Sequence, residues 1–247
     1  TSHDYHLMLL PSLLREKSPD MHIGYFLHIP FPSFSVLSGF SPLVPLLKGV
    51  LGADLVAFHT HEYLANFSNA CKRAIKRSMG EGEEGSAFRF EIEGRCVSLE
   101  AIPIGIDPEI FIKQCETEET RKRVEEIRAR FEGKKIILGV DRVDYIKGIP
   151  HRIRAFSKLI LRNPEWEDKV VLFQVGVPSR NEVQAYRTLG DVLCRMSGAV
   201  NSKGAIDETK VYFINNGVSF DELCALYMVA DVCVVSSLRD GMNLVNS

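Results

Sequence analysis

A chain of 247 residues exceeds the roughly 100–200 residues of one typical domain, so it has room for one large domain or two modest ones, each with a buried core. Its 30 Lys and Arg against 32 Asp and Glu leave a formal charge of −2 with no basic block, which argues against a general nucleic-acid surface. The six cysteines are scattered without a Cys-x-x-Cys, no apolar stretch approaches the roughly 18 residues of a membrane span, and Thr1-Ser2-His3-Asp4 lacks the features of a signal peptide; a cytoplasmic setting with reduced thiols is expected.

In chain order, apolar periodicity predicts a helix near residues 6–17, a strand at 23–27, a helix near 42–51, a strand at 55–58 and a helix near 61–78. Residues 79–86, rich in Gly and Glu and without an apolar period, are expected to form a mobile loop. A hairpin follows, strands 88–92 and 96–99 turned at Glu93-Gly94. Residues 118–131 set Val124, Ile127 and Phe131 on one stripe. The same stretch pairs Glu118 with Lys122, Glu119 with Arg123 and Glu126 with Arg130 at i,i+4, as suits an exposed helix bridging two lobes.

From residue 135 onward, strands are predicted at 135–140, 169–175, 211–214 and 231–236, with helices at about 150–162, 181–198 and 219–229 between them. Ser179 with Glu182, and Ser219 with Glu222, have the spacing of capping boxes. This alternation is that of βαβ units on a parallel sheet. The expected fold class is therefore α/β with two Rossmann-like lobes on either side of a cleft: residues 1–115, a connecting helix within 116–134, and residues 135–247.

Several polar groups fall at predicted strand ends. Arg239-Asp240-Gly241-Met242-Asn243-Leu244-Val245 follows the apolar run 232–235. An Asp and a Gly there, before an apolar helix start, leave unpaired backbone N–H groups and a carboxylate facing the crevice where open sheets bind ligands. That suits an anionic, hydroxyl-rich ligand; the alternative is a turn in which Asp240 only caps. Arg142 and Lys147 stand five residues apart after strand 135–140. They either hold a diphosphate from two sides, Arg by a planar fork and Lys as a point charge, or pair with Asp141 and Asp144 on a solvated loop. Arg180 stands at the equivalent end of the next strand, and in a doubly wound sheet these ends share one rim.

In the first lobe, His28 directly follows strand 23–27, and Pro30 and Pro32 hold an extended exit. His28 is placed to hydrogen-bond a sugar hydroxyl, or else to pack as a structural side chain. Asp4 is either a helix N-cap or an acceptor of ligand hydroxyls. A metal site built from His3, Asp4 and His6 lacks a further Cys or His at helpful spacing, so no metal is expected. No Gly-x-Gly-x-x-Gly follows a predicted strand, and neither a P-loop motif nor a Gly-x-Ser-x-Gly occurs, so dinucleotide oxidoreductase, P-loop and nucleophile-elbow readings lack their main support.

The segments His3-Asp4-Tyr5-His6-Leu7, Phe26-Leu27-His28-Ile29-Pro30-Phe31-Pro32, Ile102-Pro103-Ile104-Gly105-Ile106-Asp107, Val140-Asp141-Arg142-Val143-Asp144-Tyr145-Ile146-Lys147-Gly148, Ser179-Arg180 and Arg239 to Val245 span nearly the whole chain. Together and in this order they resemble the trehalose-6-phosphate synthase family, retaining glycosyltransferases of GT-B architecture. The resemblance implies transfer of glucose from UDP-glucose to glucose 6-phosphate with retention, giving trehalose 6-phosphate and UDP, without metal or cofactor. The alternative it leaves is a non-catalytic regulatory subunit or an inactive fragment of such a synthase.

By the same resemblance, Arg142, Lys147, Asp240 and His28 form the catalytic group. Arg142 and Lys147 hold the donor diphosphate. The main chain of Asp240, Gly241, Met242, Asn243, Leu244 and Val245 binds the donor's glucose and phosphates, with Asp240 also on glucose hydroxyls, and the main chain of Val218 meets uracil. Asp4 and Arg180 serve glucose 6-phosphate, through its hydroxyls and its phosphate respectively, while His28 stands beside the transferred glucose. The first lobe is then the acceptor side and the second the nucleotide-sugar side. Implied partners are the two substrates, with neither nucleic acid nor membrane, and a homo-oligomer or a trehalose-synthase complex as an assembly. Family members extend beyond both ends of this sequence, so both lobes are expected to be incomplete relative to the family.

Overall fold

The computed structural model describes residues 1–79, 89–92, 94–180, 182–202 and 209–246. Apart from Met79, the loop expected at 79–86 lies outside the described residues, as does Glu93 of the expected hairpin turn. The chain divides into two compact units, one made of residues 1–105 with 240–243, the other of 106–239 with 244–247.

Unit 1 contains β1 (Ser2–His3), α1 (Leu10–Lys17), β2 (Gly24–Leu27), α2 (Phe34–Leu37), α3 (Leu43–Val50), β3 (Leu55–Phe58), α4 (His61–Met79), β4 (Arg89–Ile92) and β5 (Arg95–Ala101). Its sheet runs β1-β2-β3-β5-β4, parallel except for β4, which pairs antiparallel with β5 as the expected hairpin. Val56 and Phe58 of β3, Leu47 and Val50 of α3, and Leu64 and Phe67 of α4 are nearly inaccessible and form one core. Arg15 fixes the far end of this sheet: its guanidinium donates to the Gly52 and Pro19 carbonyls and meets Asp54 at 2.7 Å. Asp54 also accepts from the Ile23 N–H. Although its own burial opposes it, the Ile23 and Arg15 hydrogen bonds hold the Asp54 carboxyl below the usual range.

Unit 2 contains α5 (Pro108–Cys115), α6 (Glu118–Arg130), β6 (Lys135–Arg142), α7 (Ile149–Arg162), β7 (Val170–Val177), α8 (Gln184–Asn201), β8 (Val211–Ile214), α9 (Phe220–Val229) and β9 (Val232–Cys233). Its sheet, β8-β7-β6-β9, is wholly parallel. Alternate residues of β7 serve opposite cores. Val171, Phe173 and Val175 pack with Val124, Ile127 and Phe131 and with Ala225, Leu226 and Val229, whereas Val170 and Leu172 pack with Ile149, Ile153 and Phe156 and with Leu189 and Leu193. A sheet covered on both faces needs apolar side chains at every position, which is why these strands read as continuous apolar runs.

The expected α/β class with parallel sheets is thus present in both units, and local details differ. Strand β9 ends at Cys233, short of the expected 236: the Val234 N–H still donates to the Leu138 carbonyl, but beyond it the Ser236 hydroxyl and the Leu238 N–H donate to the loop after β6. Helix α8 starts at Gln184, so Ser179 and Glu182 form no capping box, and the Ser219 side chain makes no cap bond at α9. The Glu222 carboxylate is instead engaged by Arg123, whose other partner is Glu126 at i,i+3. A fork onto two carboxylates, one from another helix, outcompetes the expected pairing with Glu119. Among the described residues no helix is long and apolar enough to cross a membrane.

Candidate functional site

In unit 2 the carboxyl ends of adjacent parallel strands carry Arg142 on β6 and Arg180 just after β7, while Arg239 follows β9 by six residues. The two acidic neighbours of Arg142 are engaged elsewhere. Asp141 is buried and receives the Arg152 Nη1 at 2.7 Å, and Asp144, also buried, accepts from the Ile146 N–H. Among the described residues nothing hydrogen-bonds or ion-pairs with the exposed Arg142 guanidinium. Lys147 closes a short 3-10 turn, Tyr145–Lys147, and is half-buried.

This loop is stitched to the one that leaves β9. The Leu238 N–H donates to the Ile146 carbonyl at 2.7 Å, and the Ser236 hydroxyl donates to the carbonyls of Lys147 and Gly148. Gly148 makes the closeness possible: its φ is 67°, and a Cβ there would lie 2.0 Å from the Ser236 carbonyl oxygen. Gly148→Ala is expected to destabilise unit 2 by about 1–3 kcal/mol from the left-handed backbone, with further cost from displacing Ser236. Urea melts check this, and a loss below about 0.5 kcal/mol contradicts it.

Arg180 also has a left-handed backbone, φ 52°. Its Nη1 donates to the Tyr186 hydroxyl at 2.9 Å, and its guanidinium lies 5.4 Å from that ring's centroid. Tyr186 in turn meets Tyr145 edge-on, and the Tyr145 hydroxyl donates to the Ala185 carbonyl. The β7 exit is thereby tied to the loop of Lys147. Val218 lies between β8 and α9, half-buried against the α6/α9 core. Leu244 and Val245 open a 3-10 turn.

In unit 1 the parallel strands β1, β2 and β3 end side by side, and Asp4, His28 and His59 follow their tips. Asp4 does not cap by its side chain. It has φ 65° and ψ 172°, a region proper to glycine that costs a residue with a Cβ about 1–3 kcal/mol. Two hydrogen bonds hold it there, from its own N–H to the Phe26 carbonyl and from the Tyr25 hydroxyl to its carbonyl. The Asp4 Oδ1, Ser2 Oγ and His59 Nδ1 are all buried without a hydrogen-bond partner. His28 shares a 3.1 Å hydrogen bond with His3 through its Nε2, and its ring lies 5.5 Å from that of His59.

The segment 240–243 belongs to this unit. The Tyr63 hydroxyl donates to the Asp240 carbonyl, and the Asn243 amide donates to the Asp240 carboxylate at 3.0 Å. A Cβ on Gly241 would lie 1.7 Å from the His28 carbonyl oxygen, so only glycine fits.

Sequence reasoning missed His59, Tyr186 and Arg152. For His59 a signal existed: it follows strand 55–58 as directly as His28 follows 23–27. Burial lowers its pKa from the ordinary 6.5, the charge of His28 lowers it further, and Asp240 and Asp4 oppose them without prevailing. Between its folded value and 6.5 the unfolded chain binds a proton that the folded chain does not, so stability falls as pH drops through 6.5. His59→Gln, which keeps an amide but cannot titrate, is expected to flatten the stability slope between pH 7 and pH 5 in denaturant melts. An unchanged slope contradicts the assignment.

Cations and a glycine-bearing loop at the tips of parallel strands place the chain among open α/β proteins that take ligands at the carboxyl ends of their strands. Among the described residues no cluster of His, Cys, Asp and Glu is arranged to hold a metal ion. The chain belongs to glycosyltransferase family 20, whose family model matches residues 2–247. It is 44% identical over 248 residues to an Aspergillus fumigatus protein named alpha,alpha-trehalose-phosphate synthase [UDP-forming] 1, matching 98% of this chain and 47% of that one.

Similar solved structures include the following two. Trehalose-6-phosphate from E. coli bound with UDP-2-fluoro glucose, as that structure is described, gives a TM-score of 0.88 at 31% identity, over 98% of this chain and 53% of that one. The N-terminal domain of Candida albicans trehalose-6-phosphate phosphatase gives 0.84 at 34% identity, over 98% and 51%. The α/β fold of GT-B type expected from the sequence is the fold of these neighbours. The chain spans about half the length of these matches.

Proposed function

We propose that this chain is part of a retaining glucosyltransferase that moves glucose from UDP-glucose to glucose 6-phosphate, forming trehalose 6-phosphate and UDP. The observation that carries the reading is the Arg142 loop: a strand-tip guanidinium whose acidic neighbours, Asp141 and Asp144, are engaged by Arg152 and by a backbone amide. A cation so placed suits a diphosphate. The name of the Aspergillus relative and the donor analogue bound to the E. coli protein support the same donor.

In this reading residues 1–115 are the acceptor side and 135–247 the nucleotide-sugar side. Arg142 and Lys147 offset the charge that builds on UDP as the glycosidic bond stretches toward an oxocarbenium-like state. The acceptor hydroxyl arrives on the same face and gives its proton to the leaving phosphate oxygen, so no protein nucleophile takes part. The main chain from Asp240 through Gly241, Met242, Asn243, Leu244 and Val245 holds the donor's glucose and phosphates, and Val218 meets uracil. Asp4 and Arg180 bind the acceptor's hydroxyls and phosphate, and His28 lies beside the transferred glucose. The unpartnered Asp4 Oδ1, Ser2 Oγ and His59 Nδ1 support a hydroxyl-rich ligand at the β1–β3 tips, since each such atom costs about 1–3 kcal/mol unless a ligand or water bonds it. The reading includes a cytoplasmic location and assembly as a homo-oligomer or within a trehalose-synthase complex.

The test is UDP release in a coupled assay. UDP is expected when both sugars are supplied and not with either alone. No release with both sugars even when the segments that flank this chain in its relatives are restored, alongside measurable UDP-glucose binding, favours a second reading, a regulatory subunit without turnover. That second reading draws on the Candida protein, in which a unit of this fold is the N-terminal domain of a protein named as a phosphatase.

A further inference from the structure

Helices α5 and α9 lie against each other in unit 2 although their sequences are far apart. Phe111 of α5 meets Phe220 of α9 edge-on, with ring centroids 5.0 Å apart. One turn further along each helix, the Cys115 side chain neighbours that of Cys224. Residues four apart on a helix share a face, so the aromatic pair and the thiol pair lie on one seam between helices running the same way.

We propose that Cys115 and Cys224 form a peroxide-sensitive site that closes to an intramolecular disulfide. The remaining cysteines are placed differently: Cys71 is buried in the core of unit 1, and Cys96, Cys194 and Cys233 are exposed on β5, α8 and β9. Cys115 is the more accessible member of the pair, and Cys224 is buried. Burial, with Cys115 beside it, pushes the Cys224 thiol up to about 11, so that thiol is a slow initiator.

The order of events follows from this. The Cys115 thiolate attacks a peroxide oxygen; the O–O bond breaks, the departing oxygen leaves as water after taking a proton, and Cys115 becomes a sulfenic acid. The Cys224 sulfur then attacks the Cys115 sulfur, the S–O bond breaks, and a second water leaves with the Cys224 proton. In sum, two thiols and one hydrogen peroxide give one disulfide and two waters, the two sulfurs supplying the two electrons. Disulfides of cytosolic proteins are usually of this transient, redox-sensing kind. The bond ties α5, the first helix of unit 2, to α9, the helix that follows Val218.

The experiment treats the intact 247-residue chain with hydrogen peroxide, blocks remaining thiols with an alkylating agent, and maps peptides without reduction. The expected result is a peptide joining Cys115 to Cys224, formed without loss of the folded near-UV dichroism signal and reversed by dithiothreitol. In Cys224→Ser, the Cys115 sulfenic acid persists and is captured by dimedone, whereas the unmodified protein captures little. Three outcomes overturn the proposal: Cys115 proceeding to sulfinic acid while Cys224 still alkylates, Cys115 pairing with another cysteine, or the cross-link forming only after urea unfolding.

Discussion

Arg152→Met is expected to cost unit 2 about 3–5 kcal/mol, the usual consequence of removing one member of a buried ion pair. The Arg152 and Asp141 side chains are each only 2% exposed, and the same Arg152 Nη1 also donates to the Gln174 Oε1. Gly139 makes room for this arrangement, since a Cβ there would stand 2.2 Å from the Arg152 Nη1. Methionine fills much the same volume, so the loss measures the carboxylate left without its guanidinium rather than a cavity. In a unit of this size it corresponds to a fall of roughly 10–17 °C in the unfolding midpoint. The double variant Arg152→Met with Asp141→Leu removes both charges and is expected to recover most of the loss, because apolar replacement of a whole buried pair is often neutral. Urea melts of the two variants decide the matter. A single variant within about 1 kcal/mol of the unmodified chain means that water or another group already satisfies Asp141. The pair also has a positional role, because it anchors the end of β6 to α7 at the residue before Arg142.

That pair was not legible in the sequence, and the reason is physical. Arg152 falls within an amphipathic helical pattern where an arginine reads as solvent-facing, and its only trace was Gly139, a glycine inside an apolar strand marking a close approach. The strands were legible because burial on both faces imposes unbroken apolar runs, as in β7, where seven of eight residues are buried. Strand β9 was read too long because Val234 and Val235 extend the apolar run, whereas Ser236 bonds to another loop. The capping boxes and i,i+4 pairs failed where Arg123 and Glu222, distant in sequence, found each other. Strand-end polar groups were the readable part of the site. The position rule that picked out His28 and Arg142 applies equally to His59, whereas the glycine-like backbone of Asp4 leaves no mark in sequence.

Arg142→Ala is expected to lower kcat/KM for UDP-glucose by roughly 10²–10³, the range found when a preorganised donor to developing negative charge is removed. Charge on the leaving diphosphate grows as the glycosidic bond stretches, so a cation at this position stabilises the transition state more than the bound donor. The loss should therefore fall mainly on kcat, with a smaller rise in KM. Arg142→Lys keeps the charge but not the planar fork, and is expected to recover only part of the activity. Stability gives an internal control. The Arg142 side chain is exposed and has no hydrogen-bond partner among the described residues, so its removal should leave the unfolding midpoint within about 1 °C, the scale of a neutral surface change. Arg152→Met, ten residues further on, should do the reverse, lowering stability first and activity through the displaced strand tip. If Arg142→Ala keeps activity within about threefold of the unmodified chain, the diphosphate is not held at this strand end and the proposed mechanism loses its electrostatic basis.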